Sequence, residues 1–151
     1  MTPAELSALA AEIKNDPAGL GYAAHLPFDP VRVVDLINMP TYTMLKTRYV
    51  TARTILAECA DGAALLDALQ AAAANVSAVK WMMTFLQQDS GMDAGHPKTQ
   101  ANIDELVAAG MLSSAFGAEL KNIALQPASR AEIINVPAPT ARDIVDAWSK
   151  Q

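Results

Sequence analysis

Two residue types that carry much of enzyme chemistry are nearly missing from this chain of 151 residues: it has one cysteine and two histidines. With Cys59 alone, no internal disulfide can form and no zinc site can be assembled from thiolates. Aromatic residues make up only 5 %, so the core must be built from Leu, Ile, Val and Met. No apolar run approaches the roughly 18 residues needed to cross a membrane, and no glycine-rich phosphate loop occurs. The first residues lack the basic-then-apolar layout of a signal peptide, which predicts a protein made and kept in the cytoplasm unless it leaves as part of an assembly.

What is abundant is alanine and other apolar residues, 52 % hydrophobic in all, enough to exclude wholesale disorder and to favour helix. The net charge is −5, which argues against a nucleic-acid coat. The charge is unevenly spread. Residues 30–57 hold Arg32, Lys46, Arg48 and Arg53 against Asp35, a net of +3, and the remainder carries −8.

Helix punctuation is clear along the chain. Thr2, Pro3 and Glu5 form a cap, a first-turn proline and a capping-box acid. Leu6, Leu9, Ala10 and Ile13 then recur at helical spacing until Asn15, Asp16 and Pro17 end the run. A loop follows, expected to be pinned by Leu20, Tyr22, Leu26 and Phe28. Asp29 and Pro30 open a short helix to about Asn38, with Val31, Val34 and Ile37 as its apolar positions. Thr51 caps a helix through Arg53, Ile55, Leu56 and Cys59, and Asp61 caps the next, with Leu65, Leu66 and Leu69 facing inward. After a break at Asn75, Val79, Met82, Met83 and Leu86 define a helix face that Trp81 and Phe85 extend, predicting the central core helix.

Further along, Pro97 opens a helix with Ile103, Leu106 and Val107, and Gly110 stands where a left-handed cap is expected. Ser113 or Ser114 caps a helix that the pattern carries to Leu125. A second capping box, Ser129 to Glu132, opens a short turn of helix, and a third, Thr140 to Asp143, opens the last helix, with Ile144, Val145 and Trp148.

The exception is "TYTMLKTRYV", residues 41–50, rich in Thr, Tyr and Val. Neither alternate set is cleanly apolar, so it reads as an extended segment or edge strand, with a helix beginning at Met44 as the rival. A lone strand cannot satisfy its own backbone, which makes it a template for pairing with another chain. Tyr42, Met44, Lys46, Arg48 and Arg53 are therefore the candidate interaction residues, the cations facing an acidic surface on a neighbour. The fold expected is mainly α: a compact single-domain helical bundle, residues 1–151, of about seven or eight short helices with one extended segment near 41–50.

Motifs with chemistry are weak. His25 and His96 flank loops far apart, with no serine or cysteine in a nucleophile pattern, so a hydrolase ranks last among the readings. His96 before Pro97 suits the start of a helix. Asp89 and Asp93 lack the spacing and the closing glutamate of a calcium loop. The segment from Ile103 to Ala124 could be a helix-turn-helix, but its second helix carries no arginine, and an αα-hairpin packed into the core is the better reading. No catalytic residue, metal or cofactor is expected.

The order of pieces "LAAEIKNDPAGLGYA", "INMP", "KTRYVTARTILAE", "LVAAGMLSS", "PASRAEII" and "ARDIVDAW" resembles a family of small, poorly characterised proteins encoded among the structural genes of tailed bacteriophages. The resemblance implies a virion-associated protein, assembled in the host cytoplasm, whose partners are other phage structural proteins and copies of itself. It supplies no catalytic residues. A head–tail connector ring component suits an all-helical chain of this size; a capsid decoration or tail-associated protein, or an assembly adaptor absent from the virion, are the alternatives. Neither a membrane nor a specific nucleic-acid sequence is an expected partner.

Overall fold

The computed structural model describes residues 1–150. It is mainly helical, with nine α-helices, one 3-10 turn and four short strands among the described residues. In chain order they are α1 (Pro3–Asn15), the 3-10 turn (Tyr22–Ala24), α2 (Pro30–Asn38), β1 (Tyr42–Leu45), β2 (Tyr49–Val50), α3 (Ala52–Glu58), α4 (Gly62–Ala73), α5 (Ser77–Leu86), β3 (Met92–Asp93), α6 (Pro97–Ala108), α7 (Ser114–Asn122), β4 (Leu125–Ala128), α8 (Arg130–Ile133) and α9 (Ala141–Trp148). Each of the nine begins at or beside a start that the sequence marked, so the expected total of about seven or eight was a slight undercount.

The caps fall where the sequence puts them. Thr2, Thr51, Ser129 and Thr140 each complete a reciprocal capping box, and Asp29, Asp61 and Ser113 each accept a hydrogen bond from a first-turn N–H. Gly110 takes the left-handed conformation, φ 68°, just beyond α6.

The chain divides into two compact units, a division that composition and periodicity did not reveal. The first comprises residues 1–44 and the chain from Pro127 onward; the second comprises Leu45–Gln126. In the first unit, α9 packs on α1 and α2, and α8 on α2. Its core gathers Leu9, Ile13, Tyr22, Val33, Ile37 and Ile144. An ion pair is buried among them. Arg130 Nε and Nη2 donate to the two carboxylate oxygens of Glu12 at 2.7 and 2.9 Å, and the Tyr22 hydroxyl donates to Glu12 Oε1 at 3.3 Å. That bond to Glu12 holds the Arg130 guanidinium above its ordinary pKa, and burial, then the Glu12 charge, raises that of Tyr22. A carboxylate taken out of water is tolerated when its oxygens are paired in this way.

In the second unit, α4 packs on α3 and α5, and α6 pairs with α7. Its core holds Val50, Ile55, Leu65, Leu69, Val79, Met82, Leu86, Ile103, Leu106 and Leu120. The α6–α7 pair is the αα-hairpin the sequence favoured. Gly117 is buried on α7, and a methyl group there would strike the Val107 side chain of α6.

Four expectations are corrected. Phe28 does not pin its loop: it is 95 % exposed, while Tyr22 and Leu26 are buried. On α2 the buried residues are Val33 and Ile37, and Val31 faces solvent; on α3 Ile55 is buried and Leu56 exposed. The helix carried to Leu125 ends at Asn122, and Leu125–Ala128 is strand. Finally, the extended segment 41–50 has partners inside the chain. It divides into β1, which pairs with β4, and β2, which runs antiparallel to β3 with Tyr49 opposite Asp93 and Val50 opposite Met92. The sequence hid those partners because β3 lies in a polar loop and β4 contains Pro127, a residue a sheet accepts only at an edge or a strand start.

Candidate contact surface

The five candidate residues lie on β1, on the stretch leading into β2, and on α3. Tyr42 is half-buried in the first unit, with the Arg130 guanidinium 6.0 Å from its ring centroid, so it covers the Glu12–Arg130 pair by a cation–π contact. Met44 is also half-buried. Lys46 is fixed through its backbone, its N–H donating to the Ala124 carbonyl at 3.1 Å. Gly95 sits so close to the Lys46 carbonyl that any side chain at 95 would collide with it.

Arg48 does not wait for an acid on another molecule. Its Nη1 donates to the Ile123 carbonyl at 2.6 Å and its Nη2 to Glu58 Oε1 at 2.5 Å. The backbone on either side is tied down as well. Arg48 N–H donates to Asp93 Oδ1 at 3.0 Å, and its carbonyl accepts from Ala94 N–H at 2.9 Å. Within the chain, the acid that Arg48 faces is Glu58. A charge-assisted bond of this kind is roughly twice as strong as a neutral one. Arg53 is exposed on α3 and lines a shallow cleft of about 490 Å³ with Thr51, Gln87, Gln88 and Asp89.

Two of the residues weighed for chemistry, Asp93 and His96, have structural duties. The Asp93 carboxylate accepts from the N–H groups of Arg48 and Gly95, both at 3.0 Å. His96 Nδ1 accepts from Lys98 N–H at 3.1 Å and so caps α6. His25 belongs to the first unit and His96 to the second. Cys59 is half-buried at the end of α3, its thiol pushed up in pKa by burial and then by Glu119. Among the described residues no group of three or more His, Cys, Asp or Glu side chains could hold a metal ion, and no helix is long and apolar enough to cross a membrane.

An exposed apolar surface lies elsewhere, on a helix the sequence assigned wholly to the core. Two stripes run along α5. Val79, Met82, Met83 and Leu86 are buried as expected. Trp81 and Phe85, expected to extend that face, instead stand 62 % and 45 % exposed on the other stripe with Ala78. This stripe and α6 enclose two adjoining hollows that share Ala78 and Asn102. One, of about 370 Å³, is lined by Trp81, Met82, Phe85, Met92, His96 and Lys98. The other, of about 200 Å³, is lined by Val76, Val79, Glu105, Leu106, Ala109 and Met111. Only Lys80 and Thr84 interrupt the apolar run from Val79 to Leu86. A helix apolar on most sides reads as fully buried; the periodicity cannot tell a second core face from an uncovered one.

No family model, no curated protein and no solved structure matches this chain.

Proposed function

We propose that this chain is a structural protein of a tailed-bacteriophage particle, acting through protein–protein contacts, and that its place is in the head–tail connector. The resemblance in the order of its sequence motifs suggests the particle. The observation that carries the contact role is the α5–α6 groove, where a tryptophan and a phenylalanine stand open to solvent beside a hollow lined by methionines. Contiguous apolar surface rimmed by polar groups marks sites of association, and aromatic side chains beside pockets are the residues that dominate binding energy at such sites. In this reading the partners are copies of the chain and other structural proteins of the particle, and the protein performs no catalysis.

Quantitative mass spectrometry of purified particles tests the reading. The chain should be present at a ring-like stoichiometry relative to the major capsid protein. A capsid-like stoichiometry would move it from the neck to the shell. Its absence from particles would make it an assembly adaptor and overturn the structural role.

A further inference from the structure

We infer that the α5–α6 groove of one copy takes the Phe28 side chain of a second copy. This deepens the reading above by naming the partner of the same surface. Phe28 is the starting point. At 95 % exposure it is the most exposed of the large apolar side chains among the described residues. It is also held in place. Leu26 before it is buried, the Asp29 N–H after it donates to the His25 carbonyl at 2.7 Å, and the Asp29 carboxylate caps α2. A ring presented on a fixed turn loses little freedom when it docks, which is how preorganised contacts gain affinity.

The larger hollow of the groove matches it in size, chemistry and charge. A cavity of about 150 Å³ suffices for a benzene ring, and this hollow is about 370 Å³. Trp81 and Phe85 offer ring faces and edges, and Met82 and Met92 offer thioethers, both favourable partners for an incoming ring. The lining includes Lys98 and no carboxylate, and Lys80 is exposed beside Trp81. On the other side, Phe28 is followed by the exposed Asp29 and, along α2, by the exposed Asp35, with Arg32 the one cation between them. A knob whose three charges, Asp29, Arg32 and Asp35, sum to −1 thus meets a hollow flanked by Lys80 and Lys98, with Glu105 on the adjoining hollow; opposite charge of this kind steers association.

Knob and groove are different patches, so each copy gives one and receives one. Two copies can exchange knobs reciprocally in a dimer, or the contact can repeat into a ring or a filament. A groove facing its own copy would leave Phe28 in solvent.

The test uses the full chain, with light scattering on a sizing column over a range of concentrations. The parent should self-associate, as a dimer or a larger species. Phe28→Ser and Trp81→Ser remove exposed side chains and should each be folded by circular dichroism and monomeric. Mixed, they should form a one-to-one dimer and nothing larger, because each retains one intact half of the contact. Lys98→Glu should weaken self-association roughly tenfold or more. Four results would overturn the inference: a parent that stays monomeric, either serine variant associating like the parent, a mixture that remains monomeric, or a parent limited to a dimer that Trp81→Ser abolishes and Phe28→Ser does not, the mark of groove pairing with groove. Incorporation into particles is read separately. If the chain is found in particles while its self-association ignores Phe28, the inference fails and the particle role stands.

Discussion

At the scale of single residues, the aromatic side chains decide how this surface is read. Trp81 looks from the sequence like a core anchor, whose truncation would cost about 3–5 kcal/mol. Its ring stands 62 % exposed, so Trp81→Ala should cost less than about 1 kcal/mol in urea unfolding. A larger loss would mean that the ring is covered within the chain. Arg48 shows the opposite pattern. A cation in an acidic protein suggests a free contact residue, but its guanidinium is bound to Glu58 and to the Ile123 carbonyl. Arg48→Glu should therefore destabilise the fold, by about 1–3 kcal/mol, because it removes a charge-assisted bond and sets two carboxylates together. An unchanged urea midpoint would show that these bonds contribute nothing. Composition reveals neither fact. Which face of α5 is covered, and which acid Arg48 meets, depends on packing between segments distant in sequence.

Elements were more legible. Local chemistry dictates a cap, so Thr2, Asp29, Thr51, Asp61, Ser113, Ser129 and Thr140 could be read from short patterns, and each opens a helix. The strands were not legible as a set. Segment 41–50 has strand composition, but β3 and β4 are defined by what they pair with. The apolar residues Ile123 to Leu125 simply continued the helical pattern of α7. Two predictions belong to this scale. Gly95 backs directly onto the Lys46 carbonyl, which is backbone and cannot rotate away. Gly95→Ala should thus be the more damaging of two glycine substitutions. In Gly117→Ala the added methyl meets side chains rather than backbone, striking Val107 and touching Ile103. Melting temperatures should fall in that order, and equal losses would argue against the close approach at Gly95.

The second prediction concerns acid. Hydrogen bonds from the backbone and side chain of Thr2 hold the Glu5 carboxyl below its ordinary value of 4.5, and bonds from Thr140, side chain first, hold Asp143 below 3.8. A lowered folded-state pKa means stability that is fully present above the ordinary value and lost as the pH falls through the folded one. Both caps should therefore weaken only below those ordinary values. Each loss should be small, since both groups are exposed to solvent. Asp143→Asn should reduce the acid sensitivity of the urea midpoint. A variant as acid-sensitive as the parent would show that the Thr140 box is not charged.

At the scale of the whole molecule, the mainly α class followed from alanine content, capping signals and 3.6-residue periodicity. The two-unit organisation did not, because the first unit is assembled from both ends of the chain. No local pattern announces that Leu9 and Ile144 share a core. The exposed apolar stripe of α5 was missed for a related reason. The sequence drew attention to its most basic stretch, whose strands pair inside the chain. The open surface lies on the helix that looked most deeply buried. In the proposed reading this apolar groove is the contact through which the chain assembles into a phage particle. The most direct test is co-sedimentation of tagged protein with purified particles through a density gradient, comparing the parent with the Trp81→Ser, Phe85→Ser double variant. The parent should band with the particles, and the variant, folded by circular dichroism, should stay at the top of the gradient. A parent that never bands with particles, or a variant that bands as well as the parent, would contradict it.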